Sequence, residues 1–162
     1  MSPRYNPSAK RYKFSVVTWL IIITVIISIA GFIFFQISEQ YTAYLALQPT
    51  NISHGQYLWT IITHMFVHGS IPHLLINMFV LFSLGSLCER IIGRKRFIWF
   101  YLVAGLFAGL LSVALSLAFG TTTLGAKIFG SPDIYMVGAS GAIFAIAGLY
   151  VILLPKLRFM II

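Results

Sequence analysis

The sequence predicts an all-α protein, a bundle of helices that crosses a membrane several times. Of its 162 residues, 59% are hydrophobic and only 9% are charged. A soluble domain of this length could not bury so much apolar side chain, so the composition indicates an integral membrane protein. Backbone N–H and C=O groups in lipid have to be hydrogen-bonded within the protein, and a helix satisfies this requirement inside one segment.

Four stretches of the chain are apolar enough to cross a bilayer. They cover residues 14–36, 73–88, 97–126 and 134–155, and the third is long enough for a helix and part of a loop. At 1.5 Å per residue, the first stretch reaches across a hydrocarbon core of about 30 Å. It is too long for the apolar part of a signal peptide, so we expect it to stay in place as an anchor.

The basic residues predict how these four spans are oriented. Ten of the eleven fall on one side of the membrane: Arg4, Lys10, Arg11, Lys13, Arg90, Arg94, Lys95, Arg96, Lys156 and Arg158. Only Lys127 falls on the other side. The positive-inside rule places both termini in the cytoplasm, with residues 1–13 as a basic cytoplasmic tail and residues 14–162 as the membrane domain. The formal charge of +8 then reflects topology and contact with anionic membrane lipids, and argues against a nucleic-acid partner.

Small residues are frequent in the third and fourth spans. Gly105 and Gly109 form a GxxxG pair, and Gly141, Ala145 and Gly148 lie near one face of the fourth span. Small residues let helices approach closely, so we expect the fourth span to lie at the centre of the bundle.

Two polar clusters stand where a membrane helix should be apolar, which makes them candidates for function. His73 and Asn77 are four residues apart near the outer end of the second span, so they share a helical face. They could donate hydrogen bonds to an oxyanion, or they could bond a neighbouring helix. Ser140 begins the fourth span within "GASG" and could be a helix N-cap or a nucleophile. Because both clusters lie at the same depth on the outer side, we favour a shared chemical site.

Two further histidines, His64 and His68, precede the second span at a spacing of four residues. With His73 they invite interpretation as a metal site, but the acidic residue of an HExxH motif is missing. Hydrogen bonds that fix the segment between the first two spans, about residues 37–72 and called the outer segment below, are the better explanation. We predict neither a metal nor a cofactor. At the inner end of the second span, Glu89 stands beside Arg90 and is expected to bond helix ends and the following turn.

Taken together, these motifs resemble the rhomboid family of intramembrane serine proteases. The matching stretches are "HMFVHGSIPHLLINMF" before and within the second span, "GSLCERIIG" at its inner end and "GASG" at the start of the fourth. The resemblance implies a six-helix bundle of which four transmembrane helices are present. It also implies that Ser140 is the nucleophile, with Asn77, His73 and the Ser140 backbone N–H as oxyanion donors. Structural roles are implied for His64, His68, Glu89, Arg90, Gly138 and Gly141.

The sequence departs from the family at the catalytic base, which in rhomboids is a histidine on the sixth helix. The four histidines of this chain, at positions 54, 64, 68 and 73, all precede Ser140, and none matches that base. The final "FMII" predicts a fifth helix that is interrupted at its start. We therefore expect the first part of a rhomboid protease, inactive until a C-terminal segment supplies the missing helices, with single-span transmembrane proteins as substrates. The alternative is a non-proteolytic relative that binds transmembrane clients.

Overall fold

The computed structural model describes residues 14–153, and this part of the chain is helical apart from its connections and one isolated β-bridge. The helices are α1 (Val16–Ile37), α2 (Glu39–Leu45), α3 (Pro49–Ser53), α4 (Thr60–Thr63), α5 (Ile71–Val80), α6 (Ser86–Ile92), α7 (Arg94–Phe119), α8 (Thr123–Phe129) and α9 (Ser140–Leu153). A 3₁₀ turn follows α4, and a π-helical turn, Leu81–Gly85, joins α5 to α6. The predicted all-α class is confirmed. The basic tail and the expected start of a fifth helix lie outside the described residues.

Three continuous helical stretches in the described range are long and apolar enough to cross a membrane. They are α1, the combined stretch Ile71–Ile92 and α7, with 22, 22 and 26 residues. These correspond to the first three predicted spans. The fourth span is represented by α9, whose 14 described residues are apolar but shorter than the other three.

Specific hydrogen bonds accompany two helix boundaries within the apolar stretches. The third helix ends at Phe119, because the Thr122 side chain accepts a hydrogen bond from Gly125 N–H (3.0 Å) and so caps a separate helix, α8. Within the fourth apolar stretch the helix begins at Ser140, and the residues before it are bonded elsewhere. Met136 and Leu47 exchange two backbone hydrogen bonds of 2.7 and 3.0 Å.

Helix α9 packs closely against α7, and its residues Ala142, Ile143 and Ile146 are buried. A Cβ atom added to Gly141 would lie 2.5 Å from the Cβ of Ala108 on α7, so glycine is required for this approach. This packing of α9 agrees with the expectation that the fourth span lies at the centre of the bundle.

The GxxxG pair on α7 contacts side chains of a connecting segment as well as a neighbouring helix. A Cβ on Gly109 would lie 2.8 Å from Cε1 of His64, and one on Gly105 would clash with the Met65 side chain. Both neighbours belong to the 3₁₀ turn between α4 and α5. The small residues of α7 therefore make room for the outer segment as well as for α9.

Candidate active site

Ser140 is the first residue of α9, at the end of the bundle where α5 begins. Its backbone N–H belongs to the first turn of the helix, where amides lack partners within the helix. The Ile143 N–H donates to the backbone carbonyl of Ala139 at 3.0 Å, so Ala139 stands at the N-cap position. Ser140 is therefore inside the helix by one residue and not at its N-cap.

Ser140 shares a groove with His73 and Asn77, as their common depth in the sequence suggested. The groove has a volume of about 320 Å³ and lies between α5 and α9. Its remaining walls are apolar and include Ile76 and Phe144, which are 65% and 77% exposed. Three polar residues therefore line a cavity whose other walls are apolar and partly exposed.

Asn77 is 6% exposed, and its side chain donates a 3.0 Å hydrogen bond to the backbone carbonyl of His73. This bond lies within α5. It does not reach a neighbouring helix, as the alternative role for Asn77 would require. An amide side chain carries two N–H donors, so one remains for a ligand in the groove.

Gly138 brings the segment before Ser140 against the His73 imidazole. Its φ is +121°, and an added Cβ would lie 2.8 Å from Cε1 and 2.9 Å from Nε2 of His73. Both the backbone conformation and the close approach exclude a larger residue. Gly138, the first residue of "GASG", therefore sets the distance between His73 and the Ser140 segment.

His68 connects this segment to α1. Its Nε2 accepts the backbone N–H of Ala139 at 3.5 Å, and its Nδ1 lies 3.0 Å from Oγ of Ser28. Ser28 in turn donates to the Phe66 carbonyl at 3.1 Å. Since Nε2 is an acceptor here, the neutral ring carries its proton on Nδ1. Burial, and to a smaller extent the nearby His73, lowers the pKa of His68 to about 4.

His64 supports the same segment from the other side. Its Nδ1 donates to the Thr60 carbonyl (2.9 Å), and its own carbonyl accepts the Gly138 N–H (2.8 Å). Burial lowers the pKa of this imidazole as well. With Ser112 and Ser140 it lines a second cavity, of about 120 Å³. The two histidines of the outer segment thus make hydrogen bonds to backbone and hydroxyl groups.

At the opposite end of the bundle, Glu89 binds the start of α1. Its two carboxylate oxygens accept the N–H groups of Val16 (2.9 Å) and Val17 (3.0 Å). The ion pair that the structure shows is with Arg94, whose Nε lies 3.5 Å from Glu89, and not with the adjacent Arg90. We refer to this region as the Glu89 end and to the region around the groove as the Ser140 end.

Several connecting residues were not singled out from the sequence. Ser28 is completely buried in α1, where a hydroxyl in a membrane helix was the available signal. Asp133 joins two outer loops, because its Oδ1 accepts from Thr50 (2.7 Å) and its carbonyl accepts from Gln48 (2.7 Å). No signal in the sequence pairs these positions.

The fold and this groove define a polytopic helical membrane protein with a serine at the start of a central helix. Comparison with known proteins identifies the family. The family model of the rhomboid domain matches residues 55–162. The chain belongs to the rhomboid family.

Three curated relatives give the extent of the similarity. The rhomboid protease GluP of Bacillus subtilis is 31% identical over 125 residues, which is 76% of this chain and 21% of GluP. YdcA of the same organism is 29% identical over 99 residues, 61% of this chain and 42% of YdcA. Rhomboid-like protease 3 of Toxoplasma gondii is 30% identical over 76 residues, 45% of this chain and 29% of that protein. The chain thus spans less than half the length of each of these relatives.

Proposed function

We propose that this chain carries the nucleophile and the oxyanion donors of an intramembrane serine endopeptidase. The observation that carries the proposal is the groove between α5 and α9, where Ser140, His73 and Asn77 are the polar side chains of an otherwise apolar cavity. The names of all three relatives include the word protease, which supports the same reaction class.

In the proposed reaction, Oγ of Ser140 attacks the scissile carbonyl carbon while its proton passes to a base. The carbonyl oxygen becomes an oxyanion, which Asn77 Nδ2–H, a His73 N–H and the backbone N–H of Ser140 stabilise. The C–N bond then breaks, the amine leaves with the proton, and an acyl-enzyme remains. A water molecule hydrolyses the ester and restores the Ser140 hydroxyl.

The base is proposed to be a group other than the four histidines of this chain. Among the described residues, no histidine nitrogen is hydrogen-bonded to the Ser140 hydroxyl, and the nitrogens of His68 already have partners. A histidine from a further segment, in the same polypeptide or a separate one, would have to approach Ser140.

The apolar walls of the groove support a substrate class. Exposed side chains such as Ile76 and Phe144 suit an apolar segment entering from the lipid, so we propose single-span transmembrane proteins as substrates. Following the distribution of basic residues, we place the Ser140 end on the extracytoplasmic side and both termini in the cytoplasm.

The proposal is tested by cleavage of a transmembrane substrate by the full-length protein in liposomes. Ser140→Ala should abolish cleavage while leaving membrane insertion intact. The matched control is Ser83→Ala, since Ser83 is exposed and bonds only the Phe79 carbonyl of its own helix. Cleavage that persists in Ser140→Ala would overturn the serine mechanism. Crosslinking of transmembrane partners without cleavage products in the unaltered protein would favour the client-binding alternative.

A further inference from the structure

A second groove lies at the Glu89 end, far from the proposed active site. It has a volume of about 490 Å³ and lies between the start of α1 and the end of α6. Three hydroxyl residues line it, Ser15 and Thr18 beside each other at the start of α1 (Oγ to Oγ1 2.9 Å) and Ser86 from α6. Arg90 and Arg94 line it as well, and Arg94 is paired with Glu89. The groove therefore combines hydroxyl groups with two arginines.

The one carboxylate in the groove is already neutralised within the protein. Glu89 is 6% exposed and accepts two backbone N–H groups of α1, and Arg94 lies beside it. The positive end of the α1 dipole adds to this neutralisation. Lys95 and Arg96 follow on the exposed start of α7, so the surroundings of the groove remain positive.

The position of the groove relative to the membrane is indicated by aromatic residues. Phe14 and Trp19 stack edge to face at the start of α1 and are 65% and 52% exposed, and Trp99 near the start of α7 is 68% exposed. Such aromatic residues mark the headgroup level of a bilayer. Phe82, which lines the groove itself, is 60% exposed.

We propose that this groove binds the headgroup of an anionic phospholipid, with the phosphodiester between Arg90 and Arg94 and an acyl chain along Phe82. Guanidinium groups suit phosphate oxygens because they donate two parallel hydrogen bonds, and hydroxyls complete the set. A soluble phosphate would share the polar contacts but would gain nothing from the exposed aromatic wall. This site does not depend on the proposed protease activity.

The test titrates the detergent-solubilised protein with phosphatidylglycerol or phosphatidylcholine and counts bound lipids by native mass spectrometry. Arg90→Gln should weaken phosphatidylglycerol binding by more than about tenfold. The matched control is Arg96→Gln, which removes an equal charge from a residue outside the groove. General attraction of anionic lipid predicts a loss of about fivefold for each basic residue removed, wherever it lies.

A second pair of variants keeps the charge constant. Ser86→Leu should fill the groove and displace the lipid, whereas Ser83→Leu, on the exposed face nearby, should not. Circular dichroism of each variant in phosphatidylcholine micelles checks that it is folded. Equal losses for Arg90→Gln and Arg96→Gln, or unchanged binding in Ser86→Leu, would overturn the site. Competition by glycerol phosphate at the same concentration as the lipid would overturn the assignment to a phospholipid.

Discussion

Ser28 of α1 and His68 of the outer segment are joined by a 3.0 Å contact between Oγ and Nδ1. Through Nε2 of the same imidazole, the connection continues to the backbone N–H of Ala139, next to Ser140. A buried hydroxyl in the first membrane helix is thereby linked to the segment that presents the proposed nucleophile. The link predicts that substitutions in α1 affect the structure at the Ser140 end.

Ser28→Ala should lower the free energy of unfolding by about 1–3 kcal/mol, because the buried Nδ1–H of His68 loses its acceptor. The measurement is equilibrium unfolding in mixed micelles. Ser83→Ala is the matched control, because the exposed Ser83 hydroxyl bonds only its own helix, and it should change the stability by less than about 0.5 kcal/mol. Equal effects of the two variants would contradict the proposed link.

Stability should fall as the pH is lowered from about 6.5 to about 4. In the folded protein the pKa of His68 is about 4, below its ordinary value of 6.5. Between these values the unfolded chain binds a proton that the folded chain does not, so acid favours unfolding. Above pH 6.5 both states are neutral and this contribution vanishes. His64, whose pKa is also lowered by burial, acts in the same direction.

This pH dependence is measured as the unfolding midpoint at several pH values between 7.5 and 4. His68→Gln removes the titrating group and should flatten the slope, although it also lowers the stability at neutral pH. Ser83→Ala, which removes no titrating group, should leave the slope as it is. A slope that is the same in all three proteins would show that His68 is not its source.

Gly138→Ala should disturb the Ser140 segment through two effects, the positive φ and the collision with His73. The comparison position is Gly55, which also has a positive φ, +71°, but has no atom within 4 Å of an added Cβ. Gly55→Ala therefore reports the cost of the backbone conformation alone, about 1–2 kcal/mol. We expect Gly138→Ala to be the more destabilising and to suppress cleavage by the full-length protein. If the two variants lose similar amounts of unfolding free energy, the His73 side chain can move away from the added Cβ at little cost.

Asn77→Ala tests whether the remaining amide N–H stabilises an oxyanion. Its bond in the structure lies within α5, so the variant should lose little stability, about 1 kcal/mol. Turnover by the full-length protein should nevertheless fall roughly ten- to a thousandfold, in kcat more than in KM. An unchanged kcat would leave Asn77 with a structural role only.

These residues also show how far the sequence could predict the molecule. The all-α class and the first three spans follow from hydropathy, which is a local property. The proximity of Ser140 and His73 follows from topology, because both lie near the starts of spans that run in the same direction. By contrast, the backbone bonds that the segment before α9 makes to Leu47 and His64 depend on tertiary packing. The ion pair of Glu89 with Arg94 and the role of Ser28 depend likewise on tertiary packing. Such contacts leave no periodic pattern in the sequence.

The packing of Gly109 against His64 gives a prediction in which one substitution changes sign. In a helix interior, glycine to alanine is ordinarily favourable by about 0.5–1 kcal/mol. In this protein the added Cβ would lie 2.8 Å from Cε1 of the buried His64, so Gly109→Ala should destabilise by about 1–3 kcal/mol. In the His64→Ala background the obstacle is gone, and the same change should become neutral or stabilising. A double-mutant cycle of unfolding free energies measures this coupling directly. Additive effects of the two substitutions would show that the outer segment does not rest on α7 through this pair.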